Sequence, residues 1–265
     1  MIIDIHTHIY PDHTAARTLD AVRERAGVRA YTDGTIEGLL RSMQEAGIES
    51  VVVSSIATKP EQVDTMNQWL MGVCRPPVYR LATVHPDLPA NPDLVRAVKA
   101  QGFKGFKVHP DYQDFFVDEQ RIFPFYESAQ AEGMPILFHV GVDPGLPHPV
   151  HATPQRLARV LKEFPLLRII AAHLGGQDMY AETEEHLLGN DIYLDTSFVL
   201  RKIPMAILQR FFTKHPIDRF LFGTDSPWTD QKEELEFFLS FPFLTEDAKD
   251  KILGTNAADV LEIEW

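Results

Sequence analysis

Cysteine is nearly absent from this chain of 265 residues. Because Cys74 is the only cysteine, an intramolecular disulfide is excluded. A chain without disulfides is typical of a reducing compartment, and we expect the protein to be cytoplasmic. Cys74 lies in an apolar segment, which favours a small buried side chain over a nucleophile.

Basic residues are scarce beside acidic ones. The chain has 25 Lys and Arg against 38 Asp and Glu, a net charge of −13, and no basic run stands out. Nucleic acids and anionic membrane surfaces need a concentrated positive patch, so we expect neither as a partner. The sequence also lacks an apolar run of membrane-spanning length and the start of a secretory signal.

Short apolar runs alternate with amphipathic segments along the whole chain. Residues 51–53, for example, are three valines, and the helical pattern that comes next, about 60–74, is followed by the strand-like run 79–86. Helix signals lie between the runs, such as Thr35 as an N-cap and Gly47 as a stop. The predicted strands are 1–10, 50–55, 79–86, 103–110, 135–141, 167–176, 192–197 and 220–227.

Eight strand–helix units in one series predict an α/β fold, a (β/α)8 barrel forming a single domain over residues 1–265. A doubly wound open sheet is the alternative, but no glycine-rich phosphate turn follows the first strand. The polar segment 11–33 after that strand fits either a lid or specificity loop over the barrel or a simple surface helix.

Polar side chains stand at the ends of nearly all the predicted strands. Active sites of (β/α)8 barrels lie at this C-terminal rim. His6 and His8 are two apart on one strand and therefore point the same way, as two ligands of one metal ion would. The other rim residues are His85, Lys107, His109, His139, His173, Asp195 and Asp225.

Four segments carry a resemblance to a known family. They are 3–8 (IDIHTH), 138–139 (FH), 172–176 (AHLGG) and 222–227 (FGTDSP). With these segments the chain resembles the amidohydrolase superfamily, most closely the amidohydrolase-2 branch. That branch includes metal-dependent hydrolases and aminocarboxymuconate-semialdehyde-type decarboxylases. The similarity runs from Met1 to residues 254–258.

The resemblance implies a metal centre with one or two divalent ions. His6 and His8 match the metal ligands on the first strand of such proteins, and His139 matches the ligand on the fifth strand. Asp225 matches the aspartate of the eighth strand, which binds metal and exchanges protons with metal-bound water. His173 matches a histidine that contacts water or substrate in single-metal relatives and binds the second metal in two-metal relatives. A shell rich in histidine favours zinc.

Lys107 has three interpretations. It resembles the position of a carbamylated lysine that bridges two metals in some relatives, and it could ligate metal only if carbamylated or deprotonated. It could instead be a cation for a substrate carboxylate, or a solvated lysine at a strand end. Weaker candidates for substrate contact, each with a structural role as the alternative, are His109, His148, His151 and Trp228.

Three functions follow as hypotheses. The first is a hydrolase in which metal-activated water attacks an amide, lactone or ester carbonyl of a small molecule, with Asp225 and His173 handling protons. The second is a non-oxidative decarboxylase of an aromatic or unsaturated acid, with Lys107 or an arginine binding the carboxylate. The third is a non-catalytic binding protein on the same scaffold. Resemblance to such barrels also suggests a homo-oligomer.

Overall fold

Parallel strands form the centre of the molecule. The computed structural model describes residues 1–88 and 92–264. The strands are β1 (Ile3–His8), β2 (Ser50–Ser54), β3 (Val78–Arg80), β4 (Ala82–Thr83), β5 (Phe106–Val108), β6 (Ile136–Phe138), β7 (Ile169–Ala171), β8 (Tyr193–Asp195) and β9 (Phe220–Leu221). They pair in the runs β1–β2–β3 and β4 to β9.

Two seams join these runs into a closed barrel. At the first, the Leu81 N–H between β3 and β4 donates to the Val53 carbonyl at 2.9 Å. β3 and β4 together therefore form the predicted third strand, with an interruption at Leu81. At the second, the Ile5 N–H donates to the Phe222 carbonyl at 3.0 Å, and Thr7 bridges Ser226 in parallel. The predicted (β/α)8 fold is therefore confirmed.

Helices surround the strands. They are α1 (Asp12–Ala26), α2 (Ile36–Ala46), α3 (Val63–Val73), α4 (Pro92–Ala100), α5 (Phe123–Ala131), α6 (Pro154–Glu163), α7 (Tyr180–His186), α8 (Met205–Lys214), α9 (Gln231–Leu239), α10 (Glu246–Asp250) and α11 (Asn256–Leu261). None of these described helices is both long and apolar enough to cross a membrane.

The predicted helix ends of α2 are confirmed. The Thr35 side chain accepts a hydrogen bond from the Gly38 N–H, and Gly47 ends the helix with a φ of 72°. Glycine adopts this left-handed conformation without a steric penalty from Cβ. Helix α6 likewise begins at Pro154 after the capping residue Thr153. Local sequence thus fixes both ends of α2 and the start of α6.

A register change inside β1 separates the core from the rim. Ile3 and Ile5 pack inside the barrel with Val52 and Leu137. The register of β1 against β2 shifts between Asp4 and Thr7, and His6 within this interval and His8 beyond it line a cavity. Apolar side chains therefore fill the barrel below, and the histidines stand above them.

Candidate active site

His6, His8 and Asp225 form a compact group at the rim. Asp225 Oδ1 lies 3.1 Å from His8 Nε2 and 3.4 Å from His6 Nε2. Asp225 has a φ of 71°, and its N–H donates to the His6 carbonyl at 2.8 Å, which fixes it beside β1. Burial raises the pKa of Asp225, whereas His6 and His8, when their rings are protonated, lower it to about 2.

The ring orientation of His6 and His8 suits metal binding. His6 Nδ1 lies 2.8 Å from Asp195 Oδ2, and His8 Nδ1 lies 3.0 Å from the Ser54 carbonyl. Because both partners accept hydrogen bonds, each Nδ1 carries the proton and each Nε2 presents a lone pair toward Asp225. Metal-binding histidines are held in this way by a carboxylate or carbonyl behind the ring.

His173 and His139 stand next to this group. His173 Nδ1 donates to the Ser197 carbonyl at 3.1 Å, so His173 Nε2 accepts from His139 Nδ1, also at 3.1 Å. His139 Nε2 is then left with a lone pair, and it is buried without a hydrogen-bond partner in the described part of the chain. Burial, and next His109 and His173, lower the pKa of His139 well below the usual range.

An unpaired buried nitrogen is costly unless another group binds it. His139 Nε2, together with the oriented Nε2 atoms of His6 and His8 and the carboxylate of Asp225, fits a divalent cation. The ligand atoms of His139 nevertheless group more closely with His109 and Asp143 than with the other three residues. The structure thus brings three predicted ligands together and places the fourth beside them.

The His109–Asp143 pair is better suited to hydrogen bonding than to metal binding. The Tyr112 N–H approaches His109 Nδ1 at 3.4 Å, which leaves the proton of this ring on Nε2. His109 Nε2 donates it to Asp143 Oδ2 at 2.9 Å. The His109 ring also stacks on His139, with centroids 4.0 Å apart. His109 therefore supports His139 and Asp143 at the cavity wall.

Lys107 is buried in the centre of the rim, with 1% of its surface exposed, so the interpretation as a solvated lysine is wrong. Its Nζ lies 3.1 Å from His6 Nε2. Burial lowers the pKa of Lys107 to about 8, and the carboxylates of Asp195 and Asp225 oppose that shift. The interpretations as a carbamylated ligand and as a cation for substrate stay open.

Of the four predicted substrate contacts, two lie at the cavity and two do not. His109 and Trp228 line the cavity that holds the rim residues. His148 is exposed on a separate groove beside Pro149 and Asp178. His151 Nδ1 bonds the Pro110 carbonyl at 3.1 Å, so this ring fastens its loop instead of facing the cavity. The structure therefore places His148 and His151 outside the lining of this cavity.

The cavity has a volume of about 530 Å³ and includes wall residues that sequence reasoning missed. Tyr10, Arg25, Tyr112 and Asp143 belong to this set. Arg25 reaches the wall from α1, its guanidinium 4.9 Å from the Tyr112 ring centroid and bonded to the Tyr112 hydroxyl. The one available signal was the position of the segment 11–33 directly after the strand with His6 and His8.

Several solved structures share this fold. An uncharacterised TIM-barrel protein of Bordetella bronchiseptica is 22% identical, with a TM-score of 0.76 and 98% of each chain covered. A dihydroxybenzoic acid decarboxylase of Polaromonas sp. JS666, with bound manganese and the inhibitor 2-nitroresorcinol, is 19% identical, with a TM-score of 0.70 and coverage of 99% of this chain and 97% of that chain.

A probable 2-pyrone-4,6-dicarboxylic acid hydrolase of Acinetobacter baumannii with citric acid bound is 15% identical, with a TM-score of 0.70 and 99% of each chain covered. No curated protein sequence matches the chain significantly. A family model described as amidohydrolase matches residues 3–263, nearly the whole chain. The chain therefore belongs to the amidohydrolase-2 family.

Proposed function

We propose that the protein is a metal-dependent decarboxylase of an aromatic or unsaturated carboxylic acid. The observation that carries this proposal is the buried Lys107, whose Nζ lies 3.1 Å from His6 Nε2 inside the candidate metal group. A cation at this depth would hold a substrate carboxylate next to the metal ligands. Arg25 adds a second cation at the wall. Decarboxylases of aromatic acids among its structural neighbours support the same chemistry.

His6, His8 and Asp225 would hold the ion, and His139 would contribute its unpaired Nε2. When bound, a divalent ion supplies Lewis acidity that polarises a substrate oxygen. The sequence favours zinc, whereas a structural neighbour contains manganese. Imidazole and carboxylate donors together accept either ion.

The remaining roles belong to the cavity walls. Lys107 and Arg25 bind the carboxylate, and Tyr10 and Trp228, with ring centroids 6.5 Å apart, provide an apolar surface for the substrate. When the carbon–carbon bond breaks, carbon dioxide leaves. The electron pair of that bond stays on the substrate carbon, which takes up one proton. His173 lines the cavity, and we assign delivery of that proton to its Nε2, which accepts from His139 Nδ1 in this structure and must first take up a proton itself.

Hydrolysis of a lactone, amide or ester is the second candidate, and Asp225 favours it. The Asp225 carboxylate lies 3.1 Å from His8 Nε2 and 3.4 Å from His6 Nε2, next to where the proposed ion would bind. It can therefore accept the proton of an attacking water, and His173 can return a proton to the leaving group. A structural neighbour described as a probable hydrolase supports this candidate.

The two candidates differ in their product. We would load the purified protein with Mn²⁺ or Zn²⁺ and measure carbon dioxide release from a panel of aromatic and enoic acids, beside ring opening of a lactone panel. We expect carbon dioxide release from at least one acid. Asp225→Asn should lower that rate at least about 100-fold, since it removes a charged metal ligand.

The matched control is Asp218→Asn, which makes the same change at a carboxylate whose side chain is 63% exposed. Its rate should equal that of the unaltered protein. Ring opening or amide cleavage without carbon dioxide would replace the decarboxylase proposal with the hydrolase. Full activity of either kind after complete removal of metal would contradict both.

A further inference from the structure

Asp4 lies directly below the candidate metal group and is fully buried. Its carboxylate accepts four hydrogen bonds. Oδ1 accepts from the N–H groups of His6 at 3.2 Å and Thr224 at 3.0 Å. Oδ2 accepts from the Thr224 hydroxyl at 2.5 Å and from Gln231 Nε2 at 2.8 Å. The donors thus lie on β1, on the segment after β9 and at the start of α9.

That seam is the closure of the barrel between β1 and the segment after β9. His6 and His8 stand on one side of it, and Asp225 follows Thr224 on the other. β9 itself has only two residues, and the segment that carries Asp225 continues beyond it along β1, where the Asp225 N–H donates to the His6 carbonyl at 2.8 Å and the His8 N–H to the Ser226 carbonyl at 2.6 Å. Asp225 also has a φ of 71°, a conformation that needs support from its surroundings.

We infer that Asp4, Thr224 and Gln231 form a clamp that sets the separation of His8 Nε2 and Asp225 Oδ1, and thereby the affinity of the site for its metal. The inference rests on the proposed metal site. The three residues act as positioning residues, because none of them lines the cavity. A metal shell tolerates deviations of only about 0.2 Å in ligand distance, so looser closure of this seam weakens binding.

A purely structural role for the clamp makes a different prediction. Loss of a buried hydrogen bond lowers the free energy of unfolding wherever it occurs. A positioning role additionally lowers metal affinity at temperatures where the variant is fully folded. Changes in the groups behind metal ligands typically cost about 10- to 100-fold in affinity.

The test compares two substitutions at Thr224. Thr224→Val keeps the shape of the side chain and removes the hydroxyl that donates to Asp4 and accepts from the Ser226 N–H. Thr224→Ser keeps the hydroxyl. We would titrate each metal-free protein with Mn²⁺ by calorimetry well below its unfolding temperature. We expect the Kd of Thr224→Val to rise about 10- to 100-fold and that of Thr224→Ser to stay within about threefold.

Thr183→Val is the control for lost stability. Thr183 lies in α7 and is equally buried, and its hydroxyl donates to the carbonyl of Met179, the residue before α7, away from the seam. Its Kd should be unchanged although its unfolding temperature falls. If Thr224→Val does not fold, Gln231→Met, which removes the outermost donor to Asp4, should raise the Kd at least about threefold.

An unchanged Kd in Thr224→Val, or in Gln231→Met where that variant replaces it, overturns the inference. So does an equal rise of the Kd in Thr224→Ser or in Thr183→Val. Failure of the unaltered protein to bind either Mn²⁺ or Zn²⁺ would instead contradict the proposed function on which the inference rests.

Discussion

At the scale of single residues, hydrogen-bond acceptors behind the histidines decide what each ring can do. Asp195 orients His6, and the Ser54 carbonyl orients His8. The residue types were visible in the sequence, and Asp195 was visible as a rim residue. Which acceptor meets which nitrogen depends on contacts between residues up to 189 positions apart, so no local pattern contains it.

Glu234 shows how burial without a partner affects stability. Its side chain is buried, and Oε2 has no hydrogen-bond partner in the described part of the chain. Burial raises the pKa of Glu234 to about 7, although Arg201 and Lys202 oppose the shift. Because the folded-state pKa lies above the unfolded value, stability is lost as the pH rises from about 4.5 to 7.

We expect Glu234→Gln to be more stable than the unaltered protein at pH 8, by up to about 3 kcal/mol, and about equally stable at pH 4. Urea unfolding at both pH values measures the difference. Glu233→Gln, which alters an exposed neighbour paired with Arg201, is the control and should show no such pH-dependent gain. A constant difference between the two pH values would contradict the assignment.

At the scale of elements, the segment 11–33 was predicted to be either a specificity loop over the barrel or a surface helix, and α1 has features of both. It is a surface helix in which Ala15 is buried and most other residues are exposed. It is also part of the cavity wall, through residues that include Thr18, Val22 and Arg25. Gly145, with a φ of 84°, packs so closely on the Arg25 carbonyl that a Cβ would come within 2.6 Å of it. The sequence predicted the place of this segment, whereas its contacts depend on the loop after β6.

Arg25 should therefore affect substrate binding more than stability. If it binds a substrate carboxylate, Arg25→Ala should raise the KM for acids about 10- to 100-fold, the loss expected for one charge-assisted hydrogen bond. The control is Arg23→Ala, which removes an exposed arginine paired with Asp20 on the same helix. Steady-state kinetics with an active acid would decide, and equal KM values in the two variants would remove Arg25 from the site.

At the scale of the whole molecule, barrel closure brings residues from both ends of the sequence to one centre. His6 and His8 come from the first strand and Asp225 from the segment after the last strand. A metal ion bound by these residues holds the closing seam and should stabilise the folded state by mass action. Removal of the metal then weakens the barrel as well as any activity.

We expect Mn²⁺ at about 100 times its Kd to add about 2.7 kcal/mol to the free energy of unfolding. For a chain of this size that corresponds to a rise in Tm of roughly 5–10 °C, reversed by a chelator. Differential scanning calorimetry measures the shift. His8→Ala should abolish it and His13→Ala, at an exposed position of α1, should keep it. A shift that survives in His8→Ala would show that the ion binds elsewhere.

The sequence by itself determined the order of strands and helices, because apolar periodicity, N-caps and glycine stops act over a few residues. It also determined the residue types at the strand ends, since the C-terminal ends of parallel strands meet at one rim. Only the tertiary structure decided that His148 and His151 point away, that Lys107 is buried against His6, and that Asp4 and Asp195 support the site. Those facts depend on distances across the closed barrel, and no spacing along the chain specifies them.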